Sequence, residues 1–177
     1  RQKRYDENKT GRVEYVAGHF SGATGSMVYR GDAWPREYYG NIFTADVSGN
    51  LVRRDIVEPD GVTFHARPAA VGKEFLASTD QWFRPTNFAN APDGNLYMPD
   101  MYREIIETPL SIPEELKKDL DFYSGVDKGR IYRLASKRPV VKRSLRVSLG
   151  EASTQDLVNM LEHVNGWHVD TARRLLL

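Results

Sequence analysis

The sequence of 177 residues contains no cysteine. That excludes disulfides, thiolate metal sites, cysteine nucleophiles and covalent c-type haem attachment within these residues, and it leaves the redox compartment open. Long hydrophobic runs are missing too: no apolar stretch approaches the roughly 18 residues of a membrane span. An excess of one charge is also absent. The 25 Lys and Arg against 24 Asp and Glu leave a formal net charge of +1, so no strong field for nucleic acid or a membrane surface is implied. No Gly-x-Gly-x-x-Gly, P-loop or serine elbow occurs, hence no NAD, ATP or serine-hydrolase signal. The four histidines, His19, His65, His163 and His168, show no metal-ligand spacing; a structural or surface role is expected for each, and no metal site.

With 40% hydrophobic and 28% charged residues, the composition is that of a globular chain of one domain or one and a half. It opens on Arg1-Gln2-Lys3-Arg4, without Met or a signal peptide, and stops within a helix-like pattern at Ala172–Leu177. An internal fragment of a longer protein is the expectation. The first hundred residues read as β. Val13–Val16, Ser26–Tyr29, Asn41–Asp46, Leu51–Ile56 and Thr63–Ala66 are short strand-like runs. Turns at Ser48-Gly49-Asn50 and Glu58-Pro59-Asp60-Gly61 separate them.

Asn90-Ala91-Pro92-Asp93-Gly94 is a further turn, with Pro presetting φ and Gly supplying a positive φ. It delivers the chain into Leu96–Met98, which stops at Asp100. The upstream run Gly40-Asn41-Ile42-Phe43-Thr44-Ala45-Asp46 echoes it. Each unit gives Gly-Asn, an apolar strand and an Asp, then a Gly-led strand bearing Arg (Gly49–Arg54 and Gly129–Leu134). The period of about fifty residues is that of a propeller blade. Two units fall short of the four to eight blades that close a ring.

The insertion between the second Asp and its return strand, about 103–127, carries one helix signal. Ser111-Ile112-Pro113-Glu114 has the spacing of a capping box. Residues 137–150 read as a basic linker or edge strand. Ser153-Thr154-Gln155-Asp156 caps a second helix, Asn165-Gly166 ends it, and Trp167–Leu177 forms another. Two antiparallel helices with a short loop fit the first unit of a helical solenoid. The expected fold class is mainly β with C-terminal α: a partial β-propeller of about two blades over 1–136, then the start of a HEAT-like repeat over 151–177.

Three clusters could carry chemistry. Arg30 and Asp32, two apart on an extended chain, share one face; Arg30 could clamp a carboxylate, or the pair could form a surface turn. Trp82-Phe83-Arg84 offers stacking and a charge-assisted fork for a flat anionic ring system, or a core aromatic pair beside a solvated Arg. Asp100, Tyr102 and Arg103 could act as base, orienter and oxyanion partner in an alcohol oxidation, or as an ion pair pinning the insertion to the sheet.

Taken as a set, Tyr29–Pro35, Gly40-Asn41, Asn50–Val52, Glu58–Gly61, Trp82–Pro85, Ala91–Gly94, Asp100–Arg103 and Lys128–Arg133 resemble the PVC-type membrane-bound dehydrogenases. These are haem-binding proteins with a glucose/sorbosone-dehydrogenase-like propeller, HEAT-type repeats and a c-type cytochrome domain. The resemblance implies a sugar or alcohol substrate and a periplasmic or membrane-associated location. It also implies partnership with the remaining blades and the cytochrome domain, with c-type haem only in a domain downstream. More distantly, the chain is similar to soluble quinoprotein glucose dehydrogenase, which binds pyrroloquinoline quinone. That similarity places Arg30 and Arg84 on the quinone's carboxylates, with Trp82 and Asp32 beside them. Asp100, Tyr102 and Arg103 become the catalytic group, and the fragment alone is expected to be inactive. A non-catalytic glycan- or protein-binding propeller and a calcium-dependent lactonase-like propeller are the alternatives.

Overall fold

The computed structural model describes residue 20 and residues 22–137 and 148–177. The expected strand at Val13–Val16, His19 and most of the basic linker lie outside the described residues. Among the described residues eight strands follow in chain order: β1 (Ala23–Val28), β2 (Ile42–Asp46), β3 (Leu51–Asp60), β4 (Thr63–Pro68), β5 (Leu76–Ala77), β6 (Ala89–Asn90), β7 (Leu96–Asp100) and β8 (Arg130–Leu134). They form two sheets. A five-stranded sheet has the order β1-β2-β3-β4 with β5 also on β3, and a three-stranded sheet has the order β6-β7-β8. Every pairing is antiparallel. The chain is thus mainly antiparallel β with helices at its C-terminal end.

The repeat read from the sequence is physical. β2 and β7 are both five residues long, and each is entered through a glycine in the left-handed region, Gly40 at φ 82° and Gly94 at φ 77°. Each strand ends on a buried aspartate, and each aspartate accepts the backbone N–H two residues on: Asp46 from Ser48 and Asp100 from Tyr102, both at 2.9 Å. Asp46 pairs across the ladder with Leu51, and Asp100 with Arg130. Between the paired ends the first unit spends residues 47–50, while the second spends residues 101–129. The insertion therefore replaces a tight hairpin turn.

One hydrophobic cluster serves both sheets: Phe43, Ala45 and Val52 from the first, Leu96 and Met98 from the second, with Tyr29, Trp34, Phe83 and Phe88 around them. Strand alternation makes the arrangement asymmetric. Shifted by the 54-residue repeat, Phe43 and Ala45 correspond to Tyr97 and Pro99, whereas Leu96 and Met98 correspond to Ile42 and Thr44. The first unit thus buries one face of its central strand and the second unit buries the opposite face.

Three local expectations are corrected. β3 continues through Pro59 to Asp60, and the reversal falls at Gly61-Val62, with Gly61 at φ 59°; antiparallel ladders contain positions that ask no N–H of the residue there, so proline does not end the strand. Ser111 does not cap the insertion helix. It lies in a 3-10 turn, Pro109–Ser111, where its hydroxyl donates to Thr108 O, and the single helical turn α1 (Glu114–Lys117) starts after Pro113 without a side-chain cap. The capping box at Ser153 is real: it opens α2 (Thr154–Met160), with Ser153 and Asp156 exchanging bonds. Asn165, expected to end a helix, begins one. Its side-chain oxygen accepts Trp167 N at 3.0 Å at the start of α3 (Gly166–Leu176).

Candidate functional site

The seven residues singled out in the sequence fall at two places. Trp82, Arg84, Asp100, Tyr102 and Arg103 gather where β7 ends. Arg30 and Asp32 lie near the strand's beginning: Asp32 abuts Gly94, and Arg30 N donates to Asn90 Oδ1 at 2.9 Å. Gly94 and Asp100 are separated by six extended residues, about 20 Å at the rise of a strand.

At the end of β7, Asp100 is 2% exposed. Its Oδ1 accepts Arg84 N at 2.7 Å and Tyr102 N at 2.9 Å, and its Oδ2 is buried without a hydrogen-bond partner. Arg84 is not a solvated arginine; it is 3% exposed and reaches both sheets' loops. Its guanidinium donates to Val47 O (2.7 Å), Arg103 O (2.9 Å) and Glu104 O (3.0 Å). Arg103 in turn donates from Nη2 to Phe122 O at 2.6 Å, anchoring the far side of the insertion. Phe83 belongs to the core, and its carbonyl accepts Asn50 Nδ2.

The outer layer of this end is aromatic and charged. Tyr102 holds φ 49°, an uncommon conformation for an aromatic residue. Its hydroxyl donates to Asp80 Oδ2 at 2.8 Å, its ring lies 3.5 Å under the Arg130 guanidinium, and Trp82 sits at 5.6 Å. Lys128 Nζ stands 5.3 Å above the Trp82 ring. The bond to Asp80 holds the Tyr102 phenol above its usual range. Asp80 is held low, first by the Trp82 N–H and then by that same phenol.

At the other end the Pro-Asp-Gly turn is a hub. Tyr29 OH donates to Gly94 O at 2.7 Å and accepts Trp34 N at 3.0 Å; burial, the largest influence, pushes this phenol well up. Arg133 Nε meets Asp93 Oδ2 at 2.6 Å. Burial works against the Asp93 carboxylate, yet Arg133 and Asn95 together hold it below the usual range. The helix pair docks here. Asn165, fully buried, donates from Nδ2 to Ala91 O (3.0 Å) and Pro92 O (3.3 Å), and Gly166 N donates to Arg30 O at 2.8 Å. Arg30 pairs with Asp170 Oδ2 at 2.7 Å. Sequence reasoning missed Asp93, Asn165 and Asp170. The Asn-Gly pair at a helix start and an acid one turn into α3 were the available signals.

Two concavities lie near the entry to β7, and none of the residues gathered at Asp100 lines either. A cleft of about 710 Å³ is walled by Trp34, Tyr38, Phe75, Leu76 and Leu134, none of them a candidate site residue in the sequence. A second, of about 630 Å³, lies between β1, β6 and α3 and contains Arg30. Among the described residues no group of three or more His, Asp or Glu side chains is placed to hold a metal ion. The residues expected on the quinone do not fit it as one site. Arg84 is committed to carbonyls inside the protein, and Arg30 lies at the opposite end of β7.

Two antiparallel meander sheets stacked on one core, with loops tied by buried Asp and Arg and a helix pair docked on one turn, define a β module with a C-terminal helical appendage. Over residues 2–138 the chain matches the family described as a domain of unknown function, DUF7133, and it belongs to that family. No curated protein and no solved structure matches it. Among the described residues no helix is long and apolar enough to cross a membrane.

Proposed function

We propose that the chain is two consecutive blades of a β-propeller of the glucose/sorbosone-dehydrogenase-like type. These blades are the structural, non-catalytic part of a longer protein that oxidises a sugar or an alcohol and passes electrons to a c-type haem domain outside these residues. The observation that supports this most is that the two units bury opposite faces of their repeated central strand in one shared core. Using opposite faces of one repeated strand is a heterologous contact, and radial repetition of such contacts is how propellers are built. The helix pair reads as the first unit of a HEAT-type repeat in the same protein.

The site geometry supports the non-catalytic half of the proposal. Asp100 Oδ1, Arg84 and Arg103 are engaged with backbone groups, which is the work of residues that tie loops together. Dye-linked oxidation of a sugar and alcohol panel, with pyrroloquinoline quinone supplied, tests the reading. The longer protein turns over and these 177 residues do not. Turnover by this chain alone, abolished by Asp100→Ala but not by a distant surface substitution, would contradict it. Electron microscopy of the longer protein is expected to show a ring of blades; an open two-sheet sandwich would sink the propeller.

A further inference from the structure

The 630 Å³ pocket between the sheets and α3 has the size of a small-molecule site, and its chemistry is one-sided. Met27, Val28, Ala89 and Trp167 supply its apolar lining. Arg30, Asp170 and Arg174 complete the lining, one carboxylate against two guanidinium groups. Asp170 engages only Arg30, and that ion pair is solvent-accessible, with side chains 36% and 56% exposed. Arg174 has no hydrogen-bond or ion-pair partner among the described residues. An exposed pair of this kind is worth little, so an incoming oxyanion can replace the Asp170 carboxylate at small cost and engage Arg174 as well.

We propose that this pocket binds an oxyanion carried on a flat apolar body. The guanidinium groups of Arg30 and Arg174 take the anionic head, bidentately where geometry allows, and the body lies against Trp167. Asp170 is the built-in competitor, holding Arg30 in place while the pocket is empty. This site is independent of the propeller reading, since it uses only the docked helix and the edge of the sheets. Carboxylate and phosphate heads share the required chemistry.

Amide and indole NMR of the whole chain tests the idea, with benzoate and phenyl phosphate as probes, inorganic phosphate as the bare anion and phenol as the neutral body. Saturable shifts of the Trp167 indole N–H, assigned by its loss in Trp167→Phe, are expected with one or both aryl oxyanions. Whichever of the two binds more tightly identifies the head. Arg174→Gln should weaken binding about tenfold, with Arg174→Lys intermediate, and Asp170→Asn should tighten it about threefold. Unmoved Trp34 and Trp82 indole signals in the variants show that the fold is intact. The proposal is overturned if neither aryl oxyanion gives a saturable Trp167 shift, if inorganic phosphate or phenol binds as tightly, or if the Arg174 and Asp170 variants leave affinity unchanged.

Discussion

Replacing Arg84 by alanine distinguishes a tie from a ligand clamp. The side chain is 3% exposed and donates three hydrogen bonds to carbonyls, one from the loop after β2 and two from the start of the insertion. Charge-assisted bonds of this kind contribute about 1.5–3 kcal/mol each. The three acceptors are only partly buried, so water recovers much of that loss, and a net cost of about 3 kcal/mol is expected for Arg84→Ala. At an m-value of about 2 kcal/mol/M the urea midpoint falls by about 1.5 M with m unchanged. In a thermal melt the same loss lowers Tm by about 9 °C for a chain of this size. Arg84→Lys should recover little, because a single ammonium cannot address carbonyls in different directions. A residue kept for a ligand behaves otherwise: its removal is neutral or stabilising in the unliganded protein. A loss below about 1 kcal/mol would refute the tie.

Asp100→Asn retains the Oδ1 acceptor for Arg84 N and Tyr102 N and removes a charge whose second oxygen has no partner; it should change stability by less than about 1 kcal/mol, while Asp100→Ala loses about 2 kcal/mol, both read from urea midpoints. Asp93 carries the pH dependence: its carboxyl is held below its unfolded value, so its stabilisation is complete above the ordinary Asp value of about 3.9 and is lost as pH falls through the lower folded value. The stability gap between wild type and Asp93→Asn should therefore be constant from pH 7 to about 5 and close below about 4; a gap that widens on acidification contradicts the Arg133 pairing. Gly31→Ala should cost about 2 kcal/mol or more in a thermal melt, because its methyl would collide with Gly94 O and the Tyr29 ring, both held in the core.

The strands and their repeat were legible because alternation, the Gly-Asn entry and the terminal Asp are local signals. Phe43 and Ala45, or Leu96 and Met98, announce a buried face without neighbours being known. The capping box at Ser153 was legible for the same reason, whereas the similar Ser-x-x-acid pattern at Ser111 misled. Pro109 and Pro113 flank that serine, and the backbone there folds as a 3-10 turn before any helix can form. What the sequence could not supply was direction across space. Nothing local says that Arg84 turns inward to carbonyls of another sheet, that Arg30 and Arg84 stand at opposite ends of β7, or that Asn165 plugs onto Ala91 and Pro92 some seventy residues away. Those facts decide whether the charged residues act on a ligand or on the chain itself, and they arise only when the units stack.

Native-state hydrogen exchange tests that stacking most directly. The amides of Phe43, Ala45 and Val52 in the first sheet and of Leu96 and Met98 in the second share one core. They should open with the same free energy and the same denaturant dependence, and Arg84→Ala should lower both sets equally. Opening of β6–β8 in a separate, cheaper step that leaves β2 and β3 protected would show two independent sheets and contradict the account.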